Sequence, residues 1–203
     1  MAKIYLVRHG ETDWNRERRV LGWSKVPLNV TGRSQAKELA DLLPTFKITR
    51  IDSSPLPRTL QTAEILGASL GLTPIVEPRF IEANVGSWEG RYWKELEIDP
   101  VQQQYYAESK TARPPNGETL WEVQQRVAAG MGELYHQQPD GSFLVVTHAD
   151  IIRCLLSHYL GMDLKIVKRL RIDHASFSAI SLDETGAVLH FLNLTANCLG
   201  LDE

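Results

Sequence analysis

Arg8, His9 and Gly10 stand together directly after the apolar run Tyr5-Leu6-Val7. Arginine is a permanently charged planar fork suited to phosphate, and a neutral imidazole is a competent nucleophile. Glycine lets the chain turn at once, so both side chains can face the crevice at a strand's carboxyl end. The pairing points to phosphoryl chemistry. Two other places repeat these residue types. Thr147-His148-Ala149 follows a second apolar run, and Arg58 falls in the first turn of a helical segment announced by Ser53, Ser54, Pro55 and Pro57. A helix start offers free N–H groups and the positive end of a dipole, so Arg58 adds full charge where an anion is already favoured. Each residue alone has an ordinary structural explanation. Two arginines and two histidines at three strand-to-helix corners make a convergent cationic pocket the stronger reading.

A leaving alkoxide needs a proton, so a carboxylic acid has to face such a pocket. Glu82, behind Phe80 and Ile81 at the end of an extended run, is the candidate, because partial burial would raise its pKa and keep it protonated. Glu89 and Glu11 are rivals. Glu89 precedes the turn glycine Gly90 as a surface residue would, and Glu11 adjoins the phosphate corner, where a carboxylate resists protonation.

The elements that must position these groups alternate along the chain. Residues 3–8 read as a buried strand. A helix opens at Thr31 and Gly32, buries Ala36, Leu39, Ala40 and Leu43, and stops at Pro44. A short strand at 50–53 leads into a helix with serine as its cap, an apolar face of Leu56, Leu60, Ala63, Leu66 and Leu70, and Gly71 as its stop. Residues 74–81 read as extended. The stretch 82–117 is irregular and rich in glycine and proline, which suits a lid-like insertion over the sheet edge rather than a second domain. A helix from Glu118 carries Leu120, Val123, Val127, Met131 and Leu134; a strand 143–147 ends at His148; a further helix buries Ile151, Ile152, Leu155, Leu156 and Tyr159. Segments 176–182 and 187–194 alternate as a closing hairpin. The expected architecture is one α/β domain over residues 1–203, a three-layer α/β/α sandwich with a mostly parallel central sheet.

With 43% hydrophobic and 23% charged residues, the composition is that of an ordinary globular protein. No apolar stretch is long enough to span a membrane, and nothing at the N-terminus resembles a signal peptide. Cys154 and Cys198 make no disulfide framework, which fits a cytoplasmic setting. Lys3, Arg8, Arg16, Arg18, Arg19 and Lys25 outnumber Glu11, Asp13 and Glu17 in residues 1–25, within a chain of net charge −3. A local positive patch on a mildly acidic protein suits a small anionic ligand and not nucleic acid or a membrane surface. Exposed strand edges near the C-terminus permit a homodimer. Neither cysteine has an arginine six residues on, and neither an Asp-x-Asp motif nor a phosphate-cradling glycine loop is present, so other phosphatase and nucleotide chemistries find no support.

Arg8-His9-Gly10-Glu11-Thr12 with Trp14-Asn15, Gly22, Pro27-Leu28 and Gly32 resembles the N-terminal signature of the histidine phosphatase (phosphoglycerate mutase-like) superfamily. Ser53-Ser54-Pro55-Leu56-Pro57-Arg58, Glu82 with Gly86-Ser87-Trp88-Glu89-Gly90, Asn116-Gly117-Glu118, and Thr147-His148 resemble its later blocks, in order. The resemblance implies a phosphohistidine intermediate on His9, phosphoryl oxygens held by Arg8, Arg58 and His148, and Glu82 as proton donor and then base. It also implies Asn15 and Gly22 beside the substrate, and neither metal nor cofactor. Ala149 and Asp150 stand where many members carry glycine. Ala149 keeps the backbone N–H for the substrate, while Asp150 is a candidate for shaping substrate choice. Leu21 replaces a glutamine frequent in the phosphatase branch.

The function expected is a phosphomonoesterase acting on a small phosphorylated metabolite. A cofactor-dependent phosphoglycerate mutase is the alternative, but only Arg91, Lys94, Lys110 and Arg113 are basic between 91 and 117, with no adjacent pair to hold a second phosphate. A non-catalytic phospho-ligand module is the second alternative, and no nucleophile or proton donor is missing to favour it. Trp14, Trp23, Trp88, Tyr92, Trp93 and Trp121 are candidate walls for the leaving group.

Overall fold

The computed structural model describes residues 1–196. Cys198 lies outside them. Six strands, β1 (Ala2–Arg8), β2 (Arg50–Ser53), β3 (Ile75–Val76), β4 (Ser142–Thr147), β5 (Phe177–Asp183) and β6 (Gly186–Leu194), form one sheet in the order β3-β2-β4-β1-β5-β6. The first four in that order are mutually parallel, while β5 and β6 run antiparallel as the expected closing hairpin.

The sheet is covered on both faces, which is why its strands read as continuous apolar runs. In β1, Tyr5 and Val7 pack under helices α2 (Val30–Ala40) and α3 (Pro57–Leu70), with Leu39, Ala63 and Leu66. Ile4 and Leu6 face the other way, toward α6 (Leu120–Gln137) and α7 (Ala149–Tyr159), where Val123, Val127, Ile152 and Leu155 close the second core. This is the three-layer sandwich expected. Between β3 and α6 lie only short turns, including α4 (Trp93–Leu96) and α5 (Pro100–Gln104). Among the described residues, no helix is long and apolar enough to cross a membrane.

Three local expectations need correction. Helix α2 starts one residue earlier, at Val30, behind an Asn29 cap whose side chain accepts from Gly32 N at 2.8 Å. The extended run at 74–81 is a two-residue strand followed by a 3₁₀ turn, Pro78–Phe80, because the Glu77 carboxylate captures the Arg79 N–H and Pro78 fixes its own φ. Finally, no serine caps α3. Leu56 occupies that position, and the Ser54 hydroxyl stands 2.7 Å from His148 Nε2 instead.

Candidate active site

β1 and β4 are adjacent and parallel, with Arg8 opposite Thr147, so the residues that follow, His9 and His148, leave the sheet side by side. Their rings lie 5.2 Å apart, edge to face. His9 Nδ1 is 2.7 Å from the carbonyl of Gly10. A carbonyl only accepts, so Nδ1 carries the ring proton and Nε2 keeps the lone pair. Burial, followed by the nearby Arg58 and Arg8 charges, holds the His9 pKa well below its usual value, so the ring stays neutral. A neutral imidazole with its free nitrogen fixed in direction can act as a nucleophile.

The charged groups around it are held by backbone carbonyls. Arg8 donates to Ile172 O at 2.6 Å and to the ring nitrogen of His174 at 2.8 Å. Arg58, wholly buried at the start of α3, donates to Gly22 O at 2.7 Å and Ser24 O at 2.8 Å. Burial lowers both guanidinium pKa values to about 10, so both stay charged at neutral pH. Among the described residues, six buried side-chain polar atoms lack a hydrogen-bond partner, and three of them are Arg8 Nε, Arg58 Nε and His148 Nδ1. An orphaned buried donor costs about 1–3 kcal/mol, more for a charged group. Three such donors on the residues that surround one imidazole could be satisfied together by an oxyanion.

His148 caps α7 with its backbone, so Ala149 is the first residue of an 11-residue helix. When the Ser54 hydroxyl donates to His148 Nε2, the ring proton sits on Nδ1, the orphaned atom, 3.8 Å from Glu82 Oε2. Burial and then the Arg58 charge keep His148 neutral as well.

Glu82 enters from the loop after the 3₁₀ turn. Its backbone carbonyl accepts from Trp23 Nε1 and Arg126, whose guanidinium also bonds the carbonyls of Arg79 and Ile81. Burial, with the Asp150 charge second, pushes the Glu82 pKa up to about 7, against the opposing pull of Arg58 and Arg8. The rivals are committed elsewhere. Glu11 accepts from Asn29 Nδ2, and Glu89 accepts from Trp23 N and the Ser24 hydroxyl.

A cavity of about 180 Å³ opens beside these groups. Of the expected residues, Arg8, His9, Asn15, Gly22, Glu82 and Ala149 line it, and so does Leu21. Arg58 and His148 do not reach its wall; both are completely buried. Asn15 also closes the short helix α1 (Asp13–Arg16) in a capping box with Thr12. Of the six aromatic residues weighed, Trp93 alone is at the wall. Trp88 is core, and Trp14 stacks on Arg19 at 4.2 Å. No group of three His, Cys, Asp or Glu side chains among the described residues is arranged to hold a metal ion.

Sequence reasoning missed His174, Arg153 and Tyr106. His174 ties Arg8, and its ring lies tilted 6.1 Å from that of His9. Arg153 Nη1 bonds Asp150 at 2.9 Å, and the Tyr106 hydroxyl donates to the same carboxylate. The i,i+3 spacing of Asp150 and Arg153 on α7 is a legible signal for that pair; nothing local announces His174.

An imidazole with a directed lone pair, cationic orphaned donors and a protonatable carboxyl, on a doubly covered mixed sheet, define an α/β enzyme that handles phosphate. The sequence profile of the histidine phosphatase superfamily (branch 1) matches residues 4–195, and the chain belongs to that superfamily. A probable phosphoglycerate mutase, GpmB, of Enterobacter sp. (strain 638) is 37% identical over 188 residues, covering 91% of this chain and 87% of the relative. Among solved structures, Bacillus stearothermophilus YhfR superposes with a TM-score of 0.86 at 29% identity, covering 94% of this chain and 96% of the other. A putative alpha-ribazole-5'-P phosphatase from Escherichia coli str. K-12 substr. MG1655 gives 0.86 at 28% identity, covering 95% and 96%.

Proposed function

We propose that this chain is a phosphomonoesterase that hydrolyses a small phosphorylated metabolite through a phosphohistidine on His9. In the first step Nε2 bonds to phosphorus as the ester P–O bond breaks, and Glu82 gives its proton to the departing alkoxide. The ring becomes a phosphorylated cation whose Nδ1–H still donates to Gly10 O. In the second step the Glu82 carboxylate takes a proton from water, the water oxygen bonds to phosphorus, and the imidazole leaves neutral. Arg8 at the cavity wall, with Arg58 and His148 buried behind it, stabilises the charge on the equatorial oxygens, the contribution expected to weigh most in the rate. The chain's own residues thereby supply nucleophile, charge and proton without a metal. Residues 82–117 act as a lid, since Glu82, Ala83, Val85, Trp93 and Tyr106 all face the cavity from that stretch.

The observation that carries this reading is the set of three orphaned buried nitrogens around an imidazole whose Nε2 is free. Replacing His9 with alanine is expected to abolish both p-nitrophenyl phosphate hydrolysis and the acid-labile, base-stable phosphoenzyme formed from labelled substrate. A variant that kept either would refute the assignment.

The relatives' name makes a mutase the second reading. The extra arginines at the wall, Arg19 and Arg153, are each matched by a carboxylate, Glu17 at 3.6 Å and Asp150 at 2.9 Å, leaving no spare charge for a second phosphate. Interconversion of phosphoglycerates in the presence of 2,3-bisphosphoglycerate, at a rate above phosphate release, would favour the mutase.

A further inference from the structure

The cavity wall also holds a polar cluster that the chemistry at phosphorus does not use. Asp150, in the first turn of α7, accepts from the Tyr106 hydroxyl at 3.1 Å and from Arg153 at 2.9 Å. Arg153 also donates Nε to Leu170 O, which fixes its fork and leaves Nη2 uncommitted. Asp150 and Arg153 are about one-fifth exposed and open to the cavity, beside Trp93 and Leu21. A carboxylate that still has accepting capacity, a guanidinium N–H beside it and an aromatic wall are the features that read adjacent hydroxyl groups. The carboxylate accepts from one hydroxyl and the guanidinium donates to its neighbour.

Charge narrows the choice further. Once a phosphate dianion sits against Arg8, the arginines left at the wall are each paired with a carboxylate, Arg153 with Asp150 and Arg19 with Glu17. A leaving group with its own carboxylate would meet Asp150 with no free cation to offset it.

Resting on the phosphatase reading, we infer that Asp150 and Arg153 select monoesters of small, uncharged polyols, reading a vicinal diol next to the phosphate-bearing carbon. Glycerol 1-phosphate and propyl phosphate form a matched pair of alkyl esters that differ in those two hydroxyls. A site built to bond hydroxyl groups rejects the analogue lacking them, so the wild-type enzyme is expected to favour glycerol 1-phosphate by at least about tenfold in kcat/KM. The same enzyme should favour it over 3-phosphoglycerate and phosphoserine. In Asp150→Asn the glycerol-to-propyl ratio should fall to below about threefold, a change in ratio that a general loss of packing would not produce. Equal rates on the matched pair, preference for either charged ester, or an unaltered ratio in the variant would each overturn the inference. Wild-type enzyme inert toward all of these esters and p-nitrophenyl phosphate would instead overturn the phosphatase reading itself. The wild-type comparison needs no variant to fold.

Discussion

Glu82 has to hold a proton beside two guanidinium groups, both of which favour its charged form. Burial wins, with Asp150 adding repulsion, and the carboxyl stays protonated up to about pH 7. The proposed first step uses the acid form, so kcat on an alkyl ester should fall as pH rises through about 7. Glu82→Gln removes the proton donor and the later base, and kcat on an alkyl ester should drop on the order of 10²–10⁴-fold. p-Nitrophenolate leaves without a proton, so the variant should still phosphorylate His9 from that ester and then stall. Rapid mixing should show a burst of about one p-nitrophenolate per site followed by slow turnover. Steady turnover at the wild-type rate with no burst would remove Glu82 from the mechanism.

At the scale of elements, what carries the site is legible in the sequence and what braces it is not. β1 and β4 deliver His9 and His148 because strands buried on both faces read as apolar runs, and their ends mark the crevice. The turn before Glu82 hides, because Phe80 and Ile81 look like strand residues while the bond that folds them, from Arg79 N to the Glu77 carboxylate, is a side-chain choice. His174 reaches Arg8 only because the chain returns beside β1, with Ala175 N donating to His9 O, a contact that no local pattern encodes. The loop after β1 is braced by direct backbone contact. A Cβ on Gly32 would stand 2.1 Å from Glu11 O, and one on Gly10 would stand 2.3 Å from Gly32 O. Gly32→Ala must therefore push the start of α2 off the turn that aims His9. It is expected to cost about 1–3 kcal/mol and to depress kcat/KM at the same time. Gly132, in the middle of α6, is the control, since an added Cβ there would meet nothing within 4 Å. Gly132→Ala should leave kcat/KM in place and raise stability by roughly 0.5–1 kcal/mol. Thermal melts of the two variants giving the reverse order would dispose of the brace.

The whole molecule carries the cost of a site built from neutral imidazoles. Burial keeps His9 and His148 well below their usual pKa, and burial together with the Arg8 charge takes His174 down to about 3. Each binds a proton more readily when unfolded. Their contribution to stability is therefore complete above about pH 6.5 and is lost as pH falls below it. Glu82 runs the other way: its raised pKa favours the folded state at low pH, and that contribution is lost as pH climbs from about 4.5 toward about 7. Each fully displaced proton is worth about 1.4 kcal/mol per pH unit. Three histidines against one carboxyl leave a net slope toward acid instability between pH 6.5 and 4.5. For a domain of this size, 1 kcal/mol corresponds to roughly 2–4 °C, so the melting temperature should fall by several degrees per unit across that window. His174→Asn removes one of the three titrating rings, which the Glu82 carboxyl already opposes, and should flatten the net slope by about half while leaving the melting temperature at pH 8 less affected. A melting temperature that is flat from pH 7 to pH 5 in the wild-type protein would mean that these rings are not held neutral. The directed lone pair on His9, and the nucleophile argued from it, would then lose their physical basis.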